Sequence, residues 1–525
     1  MKAAPWKGYH STVKTQYLPS PHQSAWLSTV CGLFFCLASI LFATPARAQF
    51  RSDLPNLGDT ERGDLSPRAE RRLGESIMHK IRRDPDYLDD APLSDYLNRI
   101  GNSMLAKYPE ARGETGNDFE FFAVRDLTLN AFALPGGYIA IHSGLILSTQ
   151  SESELASVIA HEIGHVAQRH IARMMGQQKQ DMLIPLAAVA AAALAARSSP
   201  DAAQALLAGG LGASAQRQLN FSREAEREAD RIGFQILGSS GYDPSGMTVF
   251  FGRMQTATRA YSDATPAYLR THPMTTERIA DIQARIREMR YRQRADSLDY
   301  HLIRARVRLL QDHSTHGLIE AERAFKEQLA LKLRMQTISA RYGLALVALQ
   351  RGDHVAARKQ LQQARKDAKD QQTLSKNPLF ASTSIDVHMA ARNFSEAAKE
   401  ANHARHTFTL SRGFVYQYAD ALLAADHSNE ATNFLRDQVQ QYRAEPKLHR
   451  QLAKAYSAQD KRALMHLALA EAYELSGSLP AALEQLSLAR QAPDATYYEH
   501  SVIDAREREW QARRREQLKQ SNKQK

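Results

Sequence analysis

Five consecutive residues, His161-Glu162-Ile163-Gly164-His165, constrain the fold of this chain more than any other feature. Histidines four apart share one face only on a helix, where residues i and i+4 lie one above the other. Leu155, Val158, Ile159 and Val166 flank them, so the helix is expected inside a core. Two buried histidines and a buried glutamate are costly unless they find partners. Two neutral imidazoles at this spacing can grip one zinc ion at about 2.0–2.1 Å each. Glu162 follows the first histidine and points to the same open side, where it suits holding a water against the metal. The competing reading is a pair of satisfied core histidines.

A catalytic zinc takes three protein ligands and keeps one open position. Glu226-Arg227-Glu228-Ala229-Asp230 offers the third ligand. Glu226 and Asp230 are again four apart on a predicted helix. Glu226 is the candidate ligand. Asp230, one turn on, suits a hydrogen bond to the far nitrogen of a ligand histidine, fixing its tautomer. Glu228 is rotated away from both. Alone, this cluster reads as a solvated face with Arg223, Arg227 and Arg231; paired with the first motif, it reads as the other half of a metal site.

At 525 residues the chain exceeds a single core, and two to four domains are expected. Its 43% hydrophobic and 24% charged residues exclude a disordered chain. The N-terminus is organised for export. Lys2, Lys7 and Lys14 precede an apolar run from Trp26 to Ala43, and Ala46-Arg47-Ala48 follows. That pattern predicts a signal peptide over residues 1–48, with a membrane anchor as the rival reading. Both cysteines, Cys31 and Cys36, lie inside it, which excludes a disulfide framework and a cysteine zinc site. Losing Lys2, Lys7, Lys14 and Arg47 lowers the net charge from +11 to +7. That mild excess suits peripheral contact with an anionic membrane, or simply a solvated surface. Export argues against nucleic acid as a partner.

Residues 49–68 read as a loose leader. Residues 69–295 read as mixed α+β with helices dominant: Ala69–Ile81, Pro92–Tyr108, and a helix opened by the capping box Ser151-x-x-Glu154 and running to Met175. Phe119–Val124 and Gly137–Ile141 are β-type runs, the second after a Pro135-Gly136-Gly137 turn. Met182–Leu211, Ala-rich and then Gly-rich, reads either as a lid or as a buried hairpin. Ser222 caps a helix over Arg223–Leu237, closed by Gly238. From 296 to 525 the chain reads as helices only. Small residues recur after the turns at Gly352, Asn393, Asp426 and Gly477, with anchors Ala357, Ala397, Ala431 and Ala482. The pattern resembles tetratricopeptide repeats, although only one interval has their 34-residue period. Generic Ala-rich hairpins are the bland alternative.

Together, Asn130-Ala-Phe-Ala-Leu-Pro-Gly-Gly137, Gly144-Leu145, the His161–His165 helix and the Glu226–Asp230 helix resemble the M48 family of zinc metallopeptidases. The resemblance covers residues 69–290. It implies a zincin-like domain with a small β-sheet, followed by an α-helical tetratricopeptide solenoid. It also implies one Zn2+ per chain on His161, His165 and Glu226, with Glu162 as the catalytic glutamate. His272, in Arg270-Thr271-His272-Pro273, matches a position close to the metal, where it either aids the oxyanion or fills the fourth zinc position and switches the enzyme off. The resemblance further implies a periplasmic location and unfolded or stalled outer-membrane proteins as substrates. The repeats would then dock on the β-barrel assembly complex.

Backbone pairing with an extended substrate is expected on Gly137, Tyr138, Ile139, Ala140 and Ile141, taken as an edge strand near the metal. Two other classes stay open: a non-proteolytic chaperone or scaffold with a switched-off zinc site, and an exported peptidase that trims short peptides.

Overall fold

The computed structural model describes residues 65–113, 118–181, 222–260, 268, 272–289, 294–368 and 376–523. The expected signal peptide over 1–48, the 182–211 stretch expected as a lid or buried hairpin, and most of the expected leader lie outside them. Residues 57–525 form one compact unit. Among the described residues no helix is long and apolar enough to cross a membrane.

The N-terminal half begins with α1 (Pro67–Ile81) and α2 (Ala91–Lys107). Each has a proline in its first turn and a side-chain cap: Ser66 accepts the Ala69 N–H, and Asp90 that of Leu93. A three-stranded sheet follows: β1 (Glu120–Val124), β2 (Ala131–Leu134) and β3 (Tyr138–His142), in the order β1-β3-β2. β1 runs parallel to β3, and β2 antiparallel to it. The β2–β3 turn uses Gly136 and Gly137 at φ +79° and +89°. Backbone there touches Arg71 and Asp118, leaving no room for a side chain.

This order corrects the substrate-strand expectation. β3 is central and paired on both sides, and Tyr138, Ile139, Ala140 and Ile141 are all buried. Its backbone groups are already used, so Gly137–Ile141 cannot take up an extended peptide. The sheet's two edges are β1, whose outer side is taken up by the Tyr87–Val124 bridge and by Asn98 on the Phe121 backbone, and β2, a strand the sequence reading passed over.

After the short α3 (Ser143–Ser148) comes α4 (Glu152–Ala167), capped as expected by Ser151 on the Glu154 N–H. It stops eight residues before Met175. Arg169 takes φ +51°, and the chain restarts as α5 (His170–Asp181). α6 spans 222–239, two residues past its expected end, with positive φ at Gly241 and not at Gly238. α7 (Ser245–Ala260) and α8 (Thr276–Glu288) complete this half.

α4 and α6 cross in close contact because their facing positions carry almost no side chain. A Cβ on Gly164 would lie 2.8 Å from the Ala229 carbonyl oxygen, and one on Gly233 3.0 Å from the backbone of Ala160 and His161. These two glycines let two helix backbones approach near the His161–His165 turn.

The C-terminal half is helical: α9 (Leu298–Gln311), α10 (Thr315–Ala330), α11 (Arg334–Gln350), α12 (His354–Asp367), α13 (Pro378–Ala390), α14 (Phe394–Thr407), α15 (Gly413–Ala424), α16 (Ser428–Gln441), α17 (Pro446–Ser457), α18 (Arg462–Leu475), α19 (Leu479–Gln491) and α20 (Tyr497–Lys523). Ala357, Ala397, Ala431 and Ala482 are each fully buried, where facing helices meet. One apolar cluster runs from Leu88 to Phe380 without a break near 296. α2 packs against α9, α13 and α15, so the helical half turns part of its inner face onto its own N-terminal half. Arg306 pairs with Asp90 at 2.8 Å, Lys447 with Asp89 at 3.4 Å, and Asp95 accepts from the Ser411 hydroxyl.

Candidate metal centre

α4 presents His161 and His165 side by side, with Nε2 atoms 3.1 Å apart. α6 brings Glu226 across the glycine contact: Oε2 lies 3.4 Å from His161 Nε2, and Oε1 lies 3.4 Å from His165 Nε2. His272 completes the group. Its Nδ1 is 3.0 Å from Glu226 Oε1 and 3.4 Å from His161 Nε2. The His272 backbone N–H donates to the Tyr268 carbonyl at 2.7 Å, and the two rings stack at 4.6 Å. Tyr268 is held by its own N–H on Leu129 O, next to β2.

Three imidazoles and a carboxylate thus place donor atoms within 4.8 Å of one another, in a pocket that is almost entirely buried. A tetrahedral ion with bonds of about 2.0–2.1 Å needs ligand atoms about 3.3–3.4 Å apart. The observed separations of 3.0–3.4 Å are close to those edges, with Glu226 meeting His161 through Oε2 and His165 and His272 through Oε1. Both Glu162 carboxylate oxygens are buried without a hydrogen bond, the nearest cation-forming group being His272 Nε2 at 3.6 Å. A buried carboxylate in that condition is unfavourable in a purely structural site. It is what a water-handling group beside a metal requires.

The electrostatics divide the histidines. Burial disfavours a charge on His161, but hydrogen bonds that its ring donates to the Asp230 and Glu226 carboxylates outweigh it and lift the pKa to about 10. Burial drives His165 down to about 3, since Glu226 compensates only in part. Burial would raise Glu226; the surrounding histidines reverse this and hold it well below the carboxylate range.

Asp230 Oδ1 sits 3.0 Å from His161 Nδ1. Arg278, on α8, grips both Asp230 oxygens at 2.6 and 2.7 Å, reaches Glu226 Oε2 at 2.8 Å and donates to the Pro273 carbonyl at 2.8 Å. One buried guanidinium therefore ties α6 to the residue after His272. Nothing in the spacing of Arg278 marks it. It reaches the site only because α8 folds against α6.

The structure brings together His161, Glu162, His165, Glu226, Asp230 and His272. It does not bring Gly137–Ile141 into an accessible position. α4 packs directly on β2, so of the two edge strands β2 is the one beside the metal-site helix.

Residues 93–286 match Peptidase family M48. The Beta-barrel assembly-enhancing protease of Escherichia coli (strain K12) is 30% identical over 462 residues, 88% of this chain and 92% of that protein. The Beta-barrel assembly-enhancing protease of Yersinia pestis is 31% identical over 461 residues, 86% of this chain and 90% of that protein. The Mitochondrial metalloendopeptidase OMA1 of Schizosaccharomyces pombe is 29% identical over 226 residues, 42% of this chain and 62% of that protein.

Proposed function

The chain belongs to peptidase family M48, and from that premise we propose that it is an exported zinc endopeptidase. In this reading it acts in the periplasm on unfolded or stalled outer-membrane β-barrel proteins, aiding assembly and degrading the misassembled. The observation that carries the chemistry is the donor set His161, His165, Glu226 and His272 beside the unpartnered Glu162 carboxylate. The barrel clients rest on the names of the full-length relatives.

His161, His165 and Glu226 would hold one zinc. When bound, zinc supplies a Lewis acid that polarises the scissile carbonyl and acidifies water to a pKa of about 7. Glu162 accepts the proton of the attacking water and returns it to the leaving amine nitrogen. Asp230 keeps His161 in the tautomer that leaves Nε2 free for the metal, and Arg278 keeps Asp230 and Glu226 ionised and aimed. β2 offers its outer edge to an extended substrate, whose backbone pairs irrespective of side-chain identity. That suits unfolded chains.

A second reading is supported by the position of His272. With Nδ1 inside the donor set, it would be a fourth ligand when the metal is bound, and the enzyme would then be in a closed, resting form. Zinc content, casein cleavage and cleavage of a stalled barrel substrate test both readings. Glu162→Gln should retain one zinc and lose at least about 100-fold in cleavage. A Glu162→Gln protein that still cleaves would remove the hydrolytic mechanism. One that fails to cleave yet fully supports barrel assembly would leave a zinc-bearing scaffold.

A further inference from the structure

His170 belongs to neither motif, and five residues from His165 it would lie about 140° round an unbroken helix. The break after Ala167 changes this. Arg169, in the left-handed region at φ +51° and anchored on Glu70 and the Leu65 carbonyl, re-aims the chain into α5. The His170 ring then returns to His165, with Nδ1 of one 2.9 Å from Nδ1 of the other. On its far side, His170 Nε2 meets Glu228 Oε2 at 3.0 Å, and Arg173 Nη1 donates to that same oxygen at 2.7 Å. His170 is 5% exposed.

The protons along this chain follow from the end that is fixed. Glu228 is ionised against Arg173 and can only accept. His170 Nε2 is therefore the donor, and in a neutral ring its Nδ1 must be the acceptor. Among the described residues, the donor facing that atom is His165 Nδ1–H. This forces the lone pair of His165 onto Nε2, the atom that faces His161, Glu226 and His272. Arg173 already compensates the Glu228 charge, so a second cation is not required there.

We propose that His170, backed by Glu228 and Arg173, is a positioning residue that locks His165 in its metal-binding tautomer and orientation. The metal centre would then have two braces of different chemistry. Asp230 with Arg278 holds the first histidine, and an imidazole–carboxylate pair holds the second. The brace also joins α5 to α6, so the geometry of the second ligand depends on how those helices seat. This inference rests on the metal-centre reading.

The test measures zinc affinity, by competition with a chromophoric chelator, for wild type, His161→Ala, His170→Leu, His170→Gln and Glu228→Ala. His170→Leu should weaken binding by about 10–100-fold. His170→Gln, whose amide can both accept from His165 and donate to Glu228, should restore most of it. The visible spectrum of the cobalt-substituted protein should shift in His170→Leu and return in His170→Gln. A site that merely filled space would not discriminate Leu from Gln in this direction. Equal affinity in His170→Leu and wild type, or no recovery in His170→Gln, overturns the brace while leaving the metal centre intact. Should His170→Leu fail to fold, Glu228→Ala decides: weaker zinc binding supports the brace, and unchanged binding overturns it. A wild type that binds no more zinc than His161→Ala overturns the metal centre itself, and the brace with it.

Discussion

In the proposed mechanism, His272 is the residue on which the working state of the site would turn. Its Nδ1 stands 3.0 Å from Glu226 Oε1, closer than either helix histidine comes to that oxygen. A group placed there competes with a substrate carbonyl for the same space. His272→Ala is therefore expected to speed cleavage of an unfolded substrate several-fold and to weaken zinc retention. Steady-state rates together with metal content check this. A fall in kcat at constant KM would assign the ring to oxyanion stabilisation instead. The residues legible in the sequence were those whose geometry is set within one helix: His161 with His165, and Glu226 with Asp230, because four-residue spacing fixes a shared face. Arg278 and His170 were not legible. One reaches the site from a separate helix, and the other only because Arg169 breaks the helix that periodicity alone carried to Met175.

Helices meet at this site only because glycine is present where they touch, and that gives a paired test. Gly164→Ala places a Cβ 2.8 Å from the Ala229 carbonyl oxygen, and backbone on both sides must move. A destabilisation of about 1–3 kcal/mol is expected, with zinc affinity falling as Glu226 is pushed back from the histidines. Gly252→Ala, in α7, meets nothing within 4 Å and should stabilise by about 0.5–1 kcal/mol through lost backbone freedom. Urea unfolding of the metal-free proteins separates the two; similar midpoints would refute the close-packing argument. Strand order failed at this same scale. Gly137–Ile141 has the composition of a strand, but which strands lie on either side of it is decided by β1 and β2 arriving from elsewhere. The small-residue anchors of the helical half succeeded, since Ala357, Ala397, Ala431 and Ala482 report helix–helix contact locally. The long interval before Ala482 is explained by one extra helix: α17 and α18 both lie between α16 and α19, where a single helix separates the earlier anchor helices. The contact between α2 and α15 has its own pH signature. Burial raises the Asp95 pKa above its ordinary 3.8, and hydrogen bonds from Ser411 and Gly413 offset this only in part. The folded state then binds more protons than the unfolded one, so this group's contribution falls as pH rises from 3.8 through the raised value. Wild type should lose stability relative to Asp95→Asn as pH rises from 3.8 toward neutrality. A constant difference in urea midpoint would show that Asp95 titrates normally.

At the scale of the molecule, the apolar core does not respect the boundary that the sequence suggests. Composition changes near residue 296, where mixed α+β gives way to helices, yet Leu298, Tyr300, Leu302 and Ile303 lie in the same cluster as Leu145 and Ile146. Tyr300 donates its hydroxyl to the Thr149 carbonyl at 2.9 Å, directly before α4. Glu152, buried at the start of α4, accepts the Ser297 hydroxyl at 2.7 Å and its backbone N–H at 3.2 Å. The first helix after the boundary thus supports the base of the helix that carries His161 and His165. Each large apolar side chain removed from the core costs about 1.5–3 kcal/mol, so losing four approaches the whole net stability of about 5–15 kcal/mol typical of a domain. Glu152 would also be left buried with Tyr96 as its remaining side-chain donor. A chain ending at residue 295 is therefore expected to lack a cooperative thermal transition and to bind zinc poorly, although it contains every candidate ligand. A chain ending at 368, which keeps α9 to α12, should recover a cooperative transition. Circular dichroism melts of the two truncations, read beside their zinc content, decide the matter. A sharp transition with full zinc binding in the shorter chain would mean that the metal centre is held by the N-terminal half alone, and that the helical half can move without disturbing it.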